Sequence, residues 1–213
     1  MFDRIDVAGE IQMTDKVIPQ PNQENWNWRY YNWVGFYDKK RLQEICEFVE
    51  NNYDGIEDPA GGAYTEDGET IKRVSDVKLI SYGKIKHLIS DLIGYAYQTA
   101  EFDFGYKTFG PHDGVLLLLN TYRADSNDEY KWHIDEANQA TNDIKLTLLL
   151  NCSTEPYEGG DFQTFISDEA EHPHYNQPGS AIIFKSPILH RVKPIISGTR
   201  KSLVMFINGP KFR

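Results

Sequence analysis

The chain changes its hydrophobic rhythm near residue 114. Before that point apolar residues recur at helical spacing in two places. Asp38, a good N-cap, is followed by Leu42, Ile45, Cys46, Phe48 and Val49, which predicts a helix over 39–51 stopped by Asn51-Asn52 and Asp54-Gly55. Ile85, Leu88, Ile89, Leu92, Ile93 and Ala96 predict a second amphipathic helix over about 84–100. Between them, residues 54–70 are rich in Gly, Asp and Glu and read as a loop, and Arg73 to Tyr82 reads as a strand. Phe102 and Phe104 alternate, which predicts a further short strand. At the start, Ile5 to Ile11 reads as a strand fragment or a loosely docked arm. Trp26, Trp28 and Tyr30, followed by Trp33 and Phe36, then read as a strand packing aromatic rings into the core.

From Gly114 onward the period is that of β-structure. Val115 to Leu119 is apolar on both faces, as in a strand covered on both sides, and it runs on to Tyr122. Asp125–Glu129 reads as a hairpin-like loop returning to Trp132-His133-Ile134-Asp135, and Glu136 to Asp143 as a polar loop. Further strands are predicted at 145–151, 161–166, 180–184, 189–192 and 200–208, with turns at Gly159-Gly160, Pro178-Gly179 and Ser197-Gly198 and a polar loop over 167–178. Two helices followed by about eight short strands predict an α+β fold: a double-sheet jelly roll (double-stranded β-helix) with two N-terminal supporting helices. A length of 213 residues predicts one domain over 1–213, with residues 1–35 as an N-terminal arm or edge strands.

Composition narrows the partners. With 22 basic and 32 acidic residues the net charge is −10, which argues against a nucleic-acid backbone or an anionic membrane surface. No stretch is long and apolar enough to span a membrane, and the acidic opening Met1-Phe2-Asp3-Arg4 has no apolar leader core. Cys46 and Cys152 are the two cysteines, which predicts free thiols in a reducing, cytoplasmic setting.

The candidate chemistry lies in His133-Ile134-Asp135. In a strand, residues i and i+2 share a face, so an imidazole and a carboxylate project together. That is two thirds of the two-His, one-carboxylate facial set that holds Fe(II) and leaves coordination positions open. Alone the pair is weak, since about one His-x-acid is expected by chance among 6 His and 32 acids. It gains weight from His190, fifty-five residues after Asp135, and from Arg200, ten residues further on. His172-Pro173-His174 has metal-binding residue types, but its proline and its loop setting make it a weak site. Arg191 points to the face opposite His190 and is assigned a structural role.

Several stretches together resemble a known family. They are Tyr122 with Tyr130-Lys131-Trp132-His133-Ile134-Asp135; Leu148-Leu149-Leu150-Asn151; Tyr157-Glu158-Gly159-Gly160-Asp161-Phe162; Pro178-Gly179-Ser180-Ala181-Ile182-Ile183-Phe184; Ser186-Pro187; and Leu189-His190-Arg191-Val192-Lys193-Pro194 through Gly198-Thr199-Arg200-Lys201-Ser202-Leu203. In order and spacing they resemble the 2-oxoglutarate- and Fe(II)-dependent dioxygenases, in the prolyl 4-hydroxylase-like, PKHD-type branch. The resemblance covers roughly residues 73–208.

The resemblance implies Fe(II) held by His133, Asp135 and His190, with 2-oxoglutarate and O2 as co-substrates and ascorbate as a candidate reductant. It implies that Arg200 takes the distal carboxylate of 2-oxoglutarate, with Ser202 on the same strand face and Tyr122 nearby. A tyrosine that some members carry on the following strand is replaced by Leu148, so Thr147 or Lys145 is the expected completion of that pocket. The implied reaction is hydroxylation of a C–H bond, foremost of a prolyl residue in a peptide or protein, with release of succinate and CO2. Tyr130, Trp132 and Tyr157 are the candidate substrate-groove residues, and loops 53–70 and 136–143 the candidate lids. The alternatives are a hydroxylase of a free amino acid or small metabolite, and a non-catalytic metal-binding jelly-roll module. A nucleobase-repair oxygenase is disfavoured, because Phe206 stands where that class carries a second arginine. The sequence is silent on oligomeric state.

Overall fold

A computed structural model describes residues 29–57, 76–135 and 142–211 of the chain. The expected Ile5–Ile11 fragment, Trp26 and Trp28, and most of the 54–70 and 136–143 loops lie outside the described residues. The elements follow in the order β1 (Tyr30–Trp33), α1 (Lys39–Asn52), β2 (Gly55–Glu57), β3 (Asp76–Ser81), α2 (Tyr82–Phe102), β4 (Leu116–Arg123), β5 (Tyr130–His133) and β6 (Asn142–Asn151). They continue with β7 (Glu158–Gly159), β8 (Phe162–Phe165), β9 (Glu169–Glu171), β10 (Ala181–Lys185), β11 (Leu189–Val192), β12 (Ile195–Ser197) and β13 (Thr199–Pro210).

The strands form a seven-stranded sheet in the order β1-β10-β6-β13-β4-β3-β2, a four-stranded sheet β5-β11-β8-β9 and a small β12-β7 pair, with antiparallel pairing throughout. Both helices precede the β-rich half, so the architecture is α+β, as the change of period near residue 114 predicts.

The large sheet is apolar on both sides because both sides are covered. On one, Leu117 and Leu119 of β4, Leu146, Leu148 and Leu150 of β6, and Leu203, Met205 and Ile207 of β13 pack against Leu42, Ile45 and Val49 of α1 and Ile85, Ile89, Leu92 and Ile93 of α2. On the other, Val77, Leu118, Leu149, Ile182, Phe184 and Val204 meet Phe162 and Val192 of the four-stranded sheet. Helix α1 starts where the sequence places its cap, with the Asp38 carboxylate accepting from Arg41 N at 2.8 Å. Cys46 and Cys152 are buried and unbridged, and no described helix is long and apolar enough to cross a membrane.

Four expectations are corrected. Phe102 ends α2 and Phe104 follows it in a turn, because the apolar face of the helix runs on through Thr99 and Ala100 and absorbs the supposed strand. Asp125–Glu129 does not close a hairpin. It carries the chain from β4 in the large sheet to β5, which pairs with β11 in the small one. The 167–178 loop contains β9, paired with β8. Strand β5 ends at His133, so Asp135 lies beyond the ladder.

His172, from that same loop, is buried between the sheets. Its Nε2 is 2.9 Å from Thr164 Oγ1 and its ring meets Tyr30 edge-on at 4.5 Å. Burial lowers its pKa to about 4. The unfolded chain therefore binds this proton more readily, and stability falls as pH drops through the interval between the ordinary histidine value and 4. Replacing His172 with Phe is expected to remove about 2 kcal/mol of the stability difference between pH 7.5 and pH 5, read by urea unfolding at both pH values. Ile45→Ala, in the helix-sheet core, is expected to cost about 2–5 kcal/mol in the same assay.

Candidate active site

The two histidines of the candidate set meet through strand register. His190 of β11 pairs directly with His133 of β5, and their rings lie 4.1 Å apart between centroids. Each ring is fixed by its own backbone. His133 Nδ1 is 2.7 Å from Lys131 O, and His190 Nδ1 is 2.9 Å from Ile188 O. A carbonyl accepts only from N–H, so each Nδ1 carries the proton and each Nε2 keeps its lone pair for a metal. Asp135 completes the group, with Oδ1 3.7 Å from His133 Nε2 and Oδ2 3.5 Å from His190 Nε2. One donor atom from each residue lies within 4.8 Å of the others, the only such group among the described residues. Tyr130 stacks on His133 at 3.5 Å, and Phe184 meets His190 edge-on at 4.8 Å, so the rings are held on both sides.

The group opens on a cavity between the sheets. Its floor is a lattice of opposed strand residues: Tyr122 beside Arg200, Asn120 beside Ser202, and Leu118 beside Val204, with Leu149 and Thr147 following on β6. Arg200 is fully buried. Its Nη2 donates to Tyr175 Oη at 3.2 Å, and its guanidinium carbon lies 5.5 Å from the ring centroids of Tyr122 and Tyr175. Its Nε and Nη1 are buried and have no hydrogen-bond partner among the described residues. A buried cation with two unsatisfied donors on a cavity wall is the arrangement that a carboxylate satisfies. Two neutral imidazoles, one carboxylate and this cation together fit Fe(II) and a dicarboxylate such as 2-oxoglutarate.

Glycine makes room for that arginine. At Gly160, where φ is +65°, a Cβ would overlap the Ile195 side chain and stand 2.9 Å from Arg200 Cδ. Behind Arg200, the Asn151 amide donates to Tyr157 Oη at 3.0 Å and to the carbonyls of Tyr175 and Asn176 at 3.2 and 3.0 Å. Burial holds the Tyr175 phenol above its ordinary pKa, so it serves Arg200 as a neutral partner.

The sequence-derived site residues separate into two groups. His133, Asp135, His190, Arg200, Tyr122, Ser202 and Tyr130 all line the cavity. Trp132 does not. It follows the strand alternation to the outer face of the small sheet, where the Arg191 guanidinium lies 4.5 Å from its ring and Phe165 packs against it. Tyr157 lies in the hydrogen-bond network behind Arg200 rather than along the cavity. Leu148 faces the helices, and Leu149 is the β6 residue on the cavity wall beside it. Lys145 is turned to Asp143 at 3.2 Å. Thr147 pairs with Phe206, six residues along β13 from Arg200, and its hydroxyl is given to Asp135 rather than to the arginine's pocket. Tyr175 is the side chain that bonds the guanidinium, and it was missed: a single aromatic in a polar loop carries no periodic signal.

Comparisons with known proteins agree with this geometry. Residues 117–208 match the family model of the 2OG-Fe(II) oxygenase superfamily. A PKHD-type hydroxylase of Acaryochloris marina is 36% identical over 101 residues, 46% of this chain and 44% of that protein. One from Psychrobacter is 37% identical over 89 residues, 38% of this chain and 33% of that protein. The alignments thus span less than half of these relatives. Among solved structures, a Pseudomonas putida prolyl-4-hydroxylase aligns with a TM-score of 0.64 at 16% identity, covering 89% of this chain and 97% of that one. A Trichoplax adhaerens prolyl hydroxylase in complex with a hypoxia inducible factor oxygen degradation domain peptide fragment aligns with a TM-score of 0.61 at 15% identity, covering 87% and 90%. Residues 117–208 are accordingly similar to the 2OG-Fe(II) oxygenase superfamily and to the PKHD-type hydroxylases, on a fold shared with the prolyl hydroxylase structures.

Proposed function

We propose that this protein is an Fe(II)- and 2-oxoglutarate-dependent dioxygenase that hydroxylates a C–H bond, foremost of a prolyl residue in a peptide or protein. The observation that carries the reading is the pairing, across one cavity, of the His133–Asp135–His190 donor set with a buried Arg200 whose two remaining nitrogens lack partners among the described residues. When bound, Fe(II) with 2-oxoglutarate supplies the O2 activation and decarboxylation that yield succinate, CO2 and a hydroxylated product.

The chain's own residues supply binding and orientation. His133, Asp135 and His190 would hold the metal on one side and leave positions open toward the cavity. Arg200 fixes the far carboxylate of the co-substrate, oriented by Tyr175 and by the ring of Tyr122. Leu149, Phe162, Val192 and Val204 make an apolar wall that excludes water from the reacting centre. Toward the other end, Leu118 and Phe206 present apolar surface, which suits a pyrrolidine ring better than a charged side chain. Peptidyl proline is supported further by the likeness in fold to prolyl hydroxylases, one of them in complex with a peptide fragment.

The test begins without oxygen. Fe(II) and then 2-oxoglutarate are added to wild type and to His190→Ala, and a visible charge-transfer band is expected only in wild type. Oxygen is then admitted with a panel of proline-containing peptides, and succinate and a mass gain of one oxygen are followed. Absence of the band from folded wild-type protein would overturn the oxygenase reading. A band and succinate with every peptide unmodified would overturn the prolyl assignment alone. Gly160→Ala, which pushes on the Arg200 stem, is expected to raise the 2-oxoglutarate concentration for half-maximal rate at least tenfold, measured by succinate release at varied co-substrate.

A further inference from the structure

Asp135 has a structural problem that the two histidines do not share. His133 and His190 sit in paired strands and their rings are pinned by backbone carbonyls. Asp135 lies two residues past the end of β5, so no ladder holds it. A carboxylate at a strand end has free rotation about χ1 and χ2, and a misdirected carboxylate is no ligand.

The structure closes this gap with a three-residue ring. Asp135 N donates to Ser186 O at 3.1 Å, which fixes the backbone. Thr147 Oγ1 donates to Asp135 Oδ2 at 2.6 Å, the length of a hydroxyl bonded to an ionised carboxylate. Ser186 Oγ lies 3.2 Å from Thr147 Oγ1. A hydroxyl has one proton, and that of Thr147 goes to Asp135. The Ser186 hydroxyl must therefore be the donor to Thr147. The ring runs from Ser186 to Thr147 to Asp135 and back through the backbone to Ser186, with Thr147 and Ser186 both fully buried. Ser186 is itself anchored, since its N donates to Lys145 O on β6 at 3.2 Å. The ring thus ties a ligand at the edge of the small sheet to the interior of the large one.

We propose that Thr147, oriented by Ser186, is the positioning residue for the carboxylate of the metal site. It holds Oδ2 and so fixes the carboxylate plane, with Oδ1 3.7 Å from His133 Nε2 and Oδ2 3.5 Å from His190 Nε2. This rests on the iron-site reading above, and the experiment separates the two. Mn(II) titrations of the anaerobic protein, followed by loss of the free-ion EPR signal, are made on wild type, Thr147→Val, Thr147→Ser, Ser186→Ala and His190→Ala.

Thr147→Val keeps the shape but loses the donor. Its Mn(II) dissociation constant is expected to rise 10- to 100-fold, the usual effect of removing a hydrogen bond that orients a metal ligand. Thr147→Ser restores the hydroxyl and is expected within about threefold of wild type. Ser186→Ala is expected to weaken binding at least threefold, and it decides the matter should Thr147→Val not yield folded protein. Thr147→Val or Ser186→Ala binding Mn(II) as tightly as wild type would overturn the clamp while leaving the iron site standing. Equal binding by wild type and His190→Ala would overturn the iron site itself, and the clamp with it.

Discussion

The structure depends first on the register of β13. This strand pairs with β4 on one side and β6 on the other, and it alternates between two tasks. Leu203, Met205 and Ile207 face the helices, while Arg200, Ser202, Val204 and Phe206 face the cavity. A slip of one residue would send a guanidinium into the helix-sheet core and a methionine into the site. Two flanking strands and an apolar face against α1 and α2 make that slip costly, which is how a fully buried arginine keeps its place without a carboxylate partner among the described residues.

The site is divided between the sheets. The small sheet presents the imidazoles through the pairing of β5 with β11, and the large sheet presents Arg200, Tyr122 and Thr147. Asp135 falls between them, following a strand of one and bonded to a side chain of the other. The polar groups of the cavity are therefore bound to strand positions or to hydrogen-bonded loops, with apolar rings of Phe162 and Phe184 packed between. Rigid placement of this kind is what a reaction needing several groups at one point requires.

Much of this was legible in the chain. Helices α1 and α2 have long apolar stripes of period 3.6, and most of the larger strands are short apolar runs bounded by turn residues. The candidate donor set was legible because its residue types are few and its spacing matches a family pattern. What escaped was long-range. Whether Asp125–Glu129 closes a hairpin or crosses between sheets is decided by partners sixty residues away. The aromatic content around His133 suggested that Trp132 belonged to the groove, but neighbours in a strand face opposite ways, and Arg191 holds its ring outside. Leu148 and Leu149 differ by one position, and only the register against β13 says which of them meets the cavity. Tyr175 reaches Arg200 from a loop whose polarity concealed it.

The unsatisfied nitrogens of Arg200 carry a consequence for the life of the protein as well as for its chemistry. A buried guanidinium with two nitrogens unpartnered among the described residues is a standing penalty that an anionic ligand removes, and a ligand bound only by the folded state raises stability by about 2.7 kcal/mol at one hundred times its dissociation constant. On the proposed reading the co-substrate is such a ligand, so the same two nitrogens that select it would also make the folded chain harder to unfold whenever it is bound.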